Sequence, residues 1–168
     1  MSSAVVELEF TPKGRNNTSA TSHCWVDGGL FGLQRCVVCE NHIVNLDEPR
    51  PLSKPERLIL EALLTLDFPG VAELRAQISR VQVVGACDCG CPTIDLEVPM
   101  DVAASPVETR ARLAPVEGRV IPLAAEPPGE IILFVDGGRL SCLEYVSYDD
   151  PSPSEWPSLD RVTLVCND

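Results

Sequence analysis

Apolar and polar positions alternate from the start of the chain. Val6, Leu8 and Phe10 alternate with Val5, Glu7 and Glu9, and Pro12 ends the run, a period of two that predicts a strand. Residues 13–22 are a polar turn. A second β region is expected over His23–Val26, broken at Gly28-Gly29 and resuming over Gln34–Val38 and His42–Val44. Together these make an N-terminal β segment, residues 1–48. Residues 46–55 read as a connector because Pro49, Pro51 and Pro55 punctuate them.

The period then changes. Ser53-Lys54-Pro55-Glu56 has the form of a capping box, with Ser53 as N-cap, Pro55 in the first turn and Glu56 at the third helical position. Ile59, Leu60, Leu63, Leu64 and Leu66 follow on one wide apolar face. Pro69-Gly70 separates this helix from a shorter one carrying Val71, Leu74 and Ile78. A helical hairpin over residues 53–79 is the expectation.

The period of two returns in residues 80–168, expected to be an antiparallel β body. Val81–Cys87 and Thr93–Val98 flank a tight turn, with Ile94, Leu96 and Val98 facing one way and Asp95 and Glu97 the other. Residues 99–129 carry six prolines and are expected to be loop. Ile131–Val135, the turn Asp136-Gly137-Gly138 and Leu140–Ser147 read as a hairpin, and Val162–Cys166 as a last strand. Strands adjoining one another in hairpins, with the helices kept apart, predict an α+β domain: an antiparallel sheet with the two-helix hairpin segregated to one face, in a single domain over 1–168.

Charge narrows the partners. The 168 residues carry a formal charge of −12, and it is uneven: residues 1–84 hold 10 acids against 8 bases, residues 85–168 hold 15 against 5. That balance argues against nucleic acid, whose phosphates recruit Lys and Arg. It fits either a solvated acidic face or a surface that docks a protein partner with a basic surface. Tyr145, Tyr148, Asp149, Asp150, Glu155 and Trp156 combine aromatic anchors with negative charge and form the candidate docking set, the alternative being that Trp156 packs the C-terminal segment onto the core. No apolar run approaches the roughly 20 residues that span a bilayer. The first residues lack a basic and an apolar signal region, so a cytoplasmic location with reduced thiols is expected.

Eight cysteines supply the other candidate chemistry. Cys36-Val37-Val38-Cys39, with His42 three residues on and Cys24 upstream, has the Cys-x2-Cys spacing that suits a tetrahedral zinc ion. In a plain strand, however, Cys36 and Cys39 would point to opposite faces and act as small hydrophobes. A second thiol cluster, Cys87, Cys89 and Cys91 with Cys142 approaching from the hairpin, reads as structural turn cysteines, as ligands for zinc or an iron–sulfur cluster, or as a redox Cys-Gly-Cys. No Lys or Arg lies between Val81 and Ala104, while four acids do, which disfavours an activated thiolate there.

Leu66-Asp67-Phe68-Pro69-Gly70, Gly90-Cys91-Pro92-Thr93-Ile94-Asp95-Leu96 and Leu140-Ser141-Cys142-Leu143-Glu144-Tyr145, in that order, resemble a group of small actinobacterial proteins with a helix, a Cys-Gly-Cys-Pro turn and a closing hairpin. The resemblance covers residues 56–160. It implies one compact domain and carries over no activity and no catalytic residue.

Standard catalytic motifs are absent: no Gly-x-Ser-x-Gly, no phosphate loop ending in Lys, no His-Glu-x-x-His. The expectation is therefore a small acidic binding protein, of inhibitory, immunity or accessory type, acting as monomer or homodimer without catalytic residues. The alternative is a cysteine-ligated zinc protein, structural or catalytic, so the cofactor is either none or zinc.

Overall fold

Ser53 and Glu56 set where the first helix begins. They form the reciprocal capping box, the Ser53 N–H donating to Glu56 Oε2 at 2.6 Å, with Pro55 in the first turn. The computed structural model describes residues 43–107, 109, 112–123, 128–148 and 152–167, all within one compact unit spanning Leu33–Asp168. The chain order is β1 (Ile43–Pro51), α1 (Lys54–Leu63), α2 (Val71–Gln77), β2 (Gln82–Cys87), β3 (Ile94–Glu97), β4 (Leu113–Val120), β5 (Gly129–Asp136), β6 (Arg139–Ser147), a short 3-10 turn (Leu159–Arg161) and β7 (Val162–Cys166).

The strands make one seven-stranded sheet in the order β1-β2-β3-β6-β5-β4-β7, every neighbouring pair antiparallel. With two helices beside an antiparallel sheet, the fold is α+β. β2–β3 and β5–β6 are hairpins closed by local turns; β6 then pairs with β3, joining the two halves of the sheet. Among the described residues no helix is long and apolar enough to cross a membrane.

The core cluster draws on both helices and on the sheet. Ile59, Leu60, Leu63, Leu64 and Leu74 meet Val83, Val116, Ile131, Leu133, Leu140 and Leu143, all almost fully buried. Strand burial alternates as a half-covered sheet requires, most regularly in β5. Gln77, at the end of α2, has no exposed surface, and its side chain meets three backbone groups. Its amide donates to Ala103 O at 3.0 Å and Gly138 O at 2.9 Å, and Oε1 accepts the Leu140 N–H at 3.0 Å.

Two prolyl stretches differ from the sequence expectation. Residues 46–55, read as a connector, supply most of β1; residues 99–129, read as a loop, contain β4. Among the described residues β1 is an edge strand, with Pro49 inside its register shift between Asn45 and Arg50 and Pro51 at its end opposite Gln82, and Pro115 sits within the register shift between Leu113 and Glu117 of β4. The start of the expected loop is also pinned: Ser105 Oγ donates to Gly70 O at 2.6 Å, and the Ser105 N–H donates to Gly138 O at 2.8 Å.

Candidate metal centre

The turn between β2 and β3 gathers three thiols. β2 delivers Cys87 at its last position, where the Cys87 N–H donates to Thr93 O at 3.1 Å and so closes the hairpin neck. Inside that neck the Gly90 N–H donates to Cys87 O at 3.3 Å, and Gly90 adopts φ 87°, a left-handed conformation glycine takes without a Cβ clash. This tight fold bends the Cys-x-Cys-x-Cys run back on itself. The Sγ atoms of Cys87 and Cys89 are 3.0 Å apart, and those of Cys87, Cys89 and Cys91 all lie within 4.8 Å of one another.

Such a spacing suits one ion. Thiolates about 2.3 Å from a tetrahedral zinc stand roughly 3.8 Å from each other, inside the range observed here. The three cysteines could therefore hold a metal ion. Cys87 and Cys91 are buried and Cys89 is exposed, so the group opens to solvent on one side.

The thiols share their protons unequally. Burial pushes the Cys87 thiol up to about 12, helped by its hydrogen bond to Cys89. Burial acts against ionising Cys91 too, but hydrogen bonds from the Thr93 hydroxyl and backbone N–H, and from the Cys89 and Cys87 thiols, bring it below the ordinary thiol value. Thr93 is itself almost fully buried, and its Oγ1 accepts the Tyr145 N–H at 3.1 Å. The sequence reading missed this residue. Its one signal is a hydroxyl two positions after Cys91, at the foot of a strand whose alternate residues are apolar.

Cys142 stands apart from the other three. On β6 it lies opposite Asp95 of β3 and Phe134 of β5, and its thiol hydrogen-bonds the Asp95 carboxylate. Burial, then the charges of Asp95 and Glu144, push its pKa far up, so it stays a protonated donor. Burial likewise raises Asp95, against the Cys142 hydrogen bond and the charge of Arg112. A cation does come near a thiol in this fold, but at Cys142. Cys166, the remaining described cysteine, is exposed at the end of β7.

The other expected ligands, Cys24, Cys36, Cys39 and His42, lie outside the described residues, as do Asp149 and Asp150 of the docking set. The rest of that set divides. Tyr145 is buried in the core and stacks edge-to-face on Trp156, ring centroids 6.2 Å apart. Trp156 is partly buried and packs against the core. Tyr148 and Glu155 are exposed, and the Tyr148 hydroxyl hydrogen-bonds Glu130.

No protein-family model, curated protein or solved structure matches this chain.

Proposed function

We propose that the protein binds a thiophilic metal ion, zinc in the first instance, through Cys87, Cys89 and Cys91. The observation that supports this reading is the convergence of three Sγ atoms within 4.8 Å on one glycine-dependent turn. Soft thiolates select zinc and monovalent copper over the hard cations that carboxylates take. Two of the thiols are buried, and a metal would replace the proton that burial makes costly to remove from Cys87, the ion's own charge offsetting the thiolates. In this reading the ion staples the β2–β3 hairpin beside the centre of the sheet. The acidic docking alternative is weaker because Tyr145 is buried and Trp156 is partly buried against the core.

Elemental analysis of native protein purified without added metal, with a free-thiol count, tests it. About one zinc per chain, lost in Cys87→Ser and Cys91→Ser, is the expected result. Metal-free protein with all thiols reactive, and no zinc taken up on titration, would overturn it. A metal-free protein with a disulfide mapped between two of Cys87, Cys89 and Cys91 would assign the turn to a disulfide instead.

A further inference from the structure

The three thiols of the turn differ in access. Cys89 is exposed, while Cys87 and Cys91 are buried. Cys89 Sγ stands 3.0 Å from Cys87 Sγ. A disulfide holds its sulfurs about 2.0 Å apart, so closing a Cys87–Cys89 bond asks for about 1 Å of further approach. Cys89 lies beyond the last residue of β2, clear of the ladder, and the Gly90 that follows it has open space around its α-carbon. An exposed sulfur with a buried one beside it is the arrangement that thiol–disulfide exchange uses: the first attacks, the second resolves.

The stretch around the turn supplies no activating cation. Between Val81 and Ala104 there is no Lys or Arg, and Asp88, Asp95, Glu97 and Asp101 stand there instead. Acids of this kind disfavour a thiolate, and the thiolate is the nucleophile. A bound zinc ion removes the obstacle, because a coordinating thiol is deprotonated outright. Metal binding and disulfide exchange thus belong together at one site.

We propose that the metal-loaded turn reacts with small disulfides, Cys89 attacking and Cys87 resolving, and gives up its ion in doing so. This rests on the metal-binding reading of Cys87, Cys89 and Cys91 and adds a reaction to that site. First a bond forms between Cys89 Sγ and one sulfur of the small disulfide, whose other half leaves as a thiolate. Cys87 Sγ then attacks Cys89 Sγ, which forms the Cys87–Cys89 disulfide and expels the second half. Two protein thiolates lose two electrons in all, and the small disulfide is reduced to two thiols that take their protons from water. Cys91 alone remains as a ligand, too few to hold the ion, which passes to solution. The acids around the turn favour an uncharged or cationic disulfide over an anionic one.

The test uses the full chain, loaded with one equivalent of zinc and treated with bis(2-hydroxyethyl) disulfide, an uncharged probe. A chromogenic chelator reads the zinc released beyond that lost without the probe. The tryptic peptide 81–110, which contains Cys87, Cys89 and Cys91 and no other cysteine, reads the thiols. One zinc released for each Cys87–Cys89 disulfide is the expected result, with zinc taken up again after dithiothreitol. At saturating zinc, Cys87→Ser should stop with one hydroxyethylthio group on Cys89. Cys89→Ser should slow oxidation of this peptide about tenfold or more, since attack depends on access to the sulfur.

Zinc retained with the peptide unmodified would overturn the reaction while leaving the metal reading intact. A disulfide mapped to Cys89–Cys91, or a Cys87→Ser protein that still forms one, would overturn the resolving role of Cys87. Failure of the wild type to take up zinc would sink the metal reading, and this reaction with it.

Discussion

The Thr93 hydroxyl oxygen accepts the backbone N–H of Tyr145 at 3.1 Å, and the same hydroxyl hydrogen-bonds Cys91. One buried side chain thus joins the thiol turn to β6, in the middle of the sheet. Thr93→Val keeps the shape but leaves the Tyr145 N–H without its partner, a loss of about 1–3 kcal/mol. Thr93→Ser, which retains the hydroxyl, should lose less. Urea unfolding of the two variants checks the order, and metal affinity should follow the same order because Cys91 loses a donor only in Thr93→Val.

Gln77 ties a second buried junction. Replacing it with Leu preserves much of the volume but strands the Leu140 N–H and removes the donor shared by Ala103 O and Gly138 O. Only the Leu140 N–H is buried and loses its partner outright, since Gly138 O keeps the Ser105 N–H and Ala103 is exposed, so the cost should be about 1–3 kcal/mol. Amide exchange should accelerate first at Leu140 and Ser105, whose N–H groups bond within this same junction of α2, the β5–β6 turn and the 99–105 stretch.

How much of this was legible in the sequence depended on whether the signal was local. The capping box at Ser53 and Glu56, the β5–β6 hairpin around Gly137-Gly138 and the last strand Val162–Cys166 all follow from patterns within a few residues. β1 and β4 did not, because proline in a strand is tolerated only at edges and bulges, and those depend on which strands become neighbours. The same distinction divides the thiols. Cys87, Cys89 and Cys91 are brought together by their own turn. Cys142 was expected to approach them, but its position follows from the β3–β6 pairing, which sets it against Asp95. Burial of Tyr145 is likewise set by a sheet face that no local pattern specifies.

Glu56 should make stability depend on pH at the acidic end. Burial opposes its ionisation, but the bidentate Arg50 pair at 2.7 and 2.8 Å and the Ser53 N–H outweigh burial and hold its carboxyl below the usual value. A carboxyl depressed in the folded state stabilises fully above its unfolded pKa, about 4.3, and that contribution fades as pH falls through the folded value. Glu56→Gln should therefore be less stable than wild type at pH 7, with the difference narrowing below about pH 4. Denaturant midpoints from pH 7 down to pH 3 measure it; a difference independent of pH would show that shape at this N-cap matters and charge does not.

Gly90 isolates the backbone contribution to the thiol turn. At φ 87° it occupies left-handed space, yet a Cβ built there meets no other atom within 4 Å, so any penalty from a side chain is conformational and not steric crowding. Asn visits this region readily and Val does not. Gly90→Asn should remain close to wild type in stability, while Gly90→Val should lose about 1–2 kcal/mol, the cost of forcing a bulkier residue into that conformation. If the turn is what brings the three sulfurs together, zinc or Co2+ affinity should fall in the same order, with Gly90→Val the weaker binder. Equal affinities alongside unequal stabilities would mean that the metal organises the thiols without help from the glycine turn.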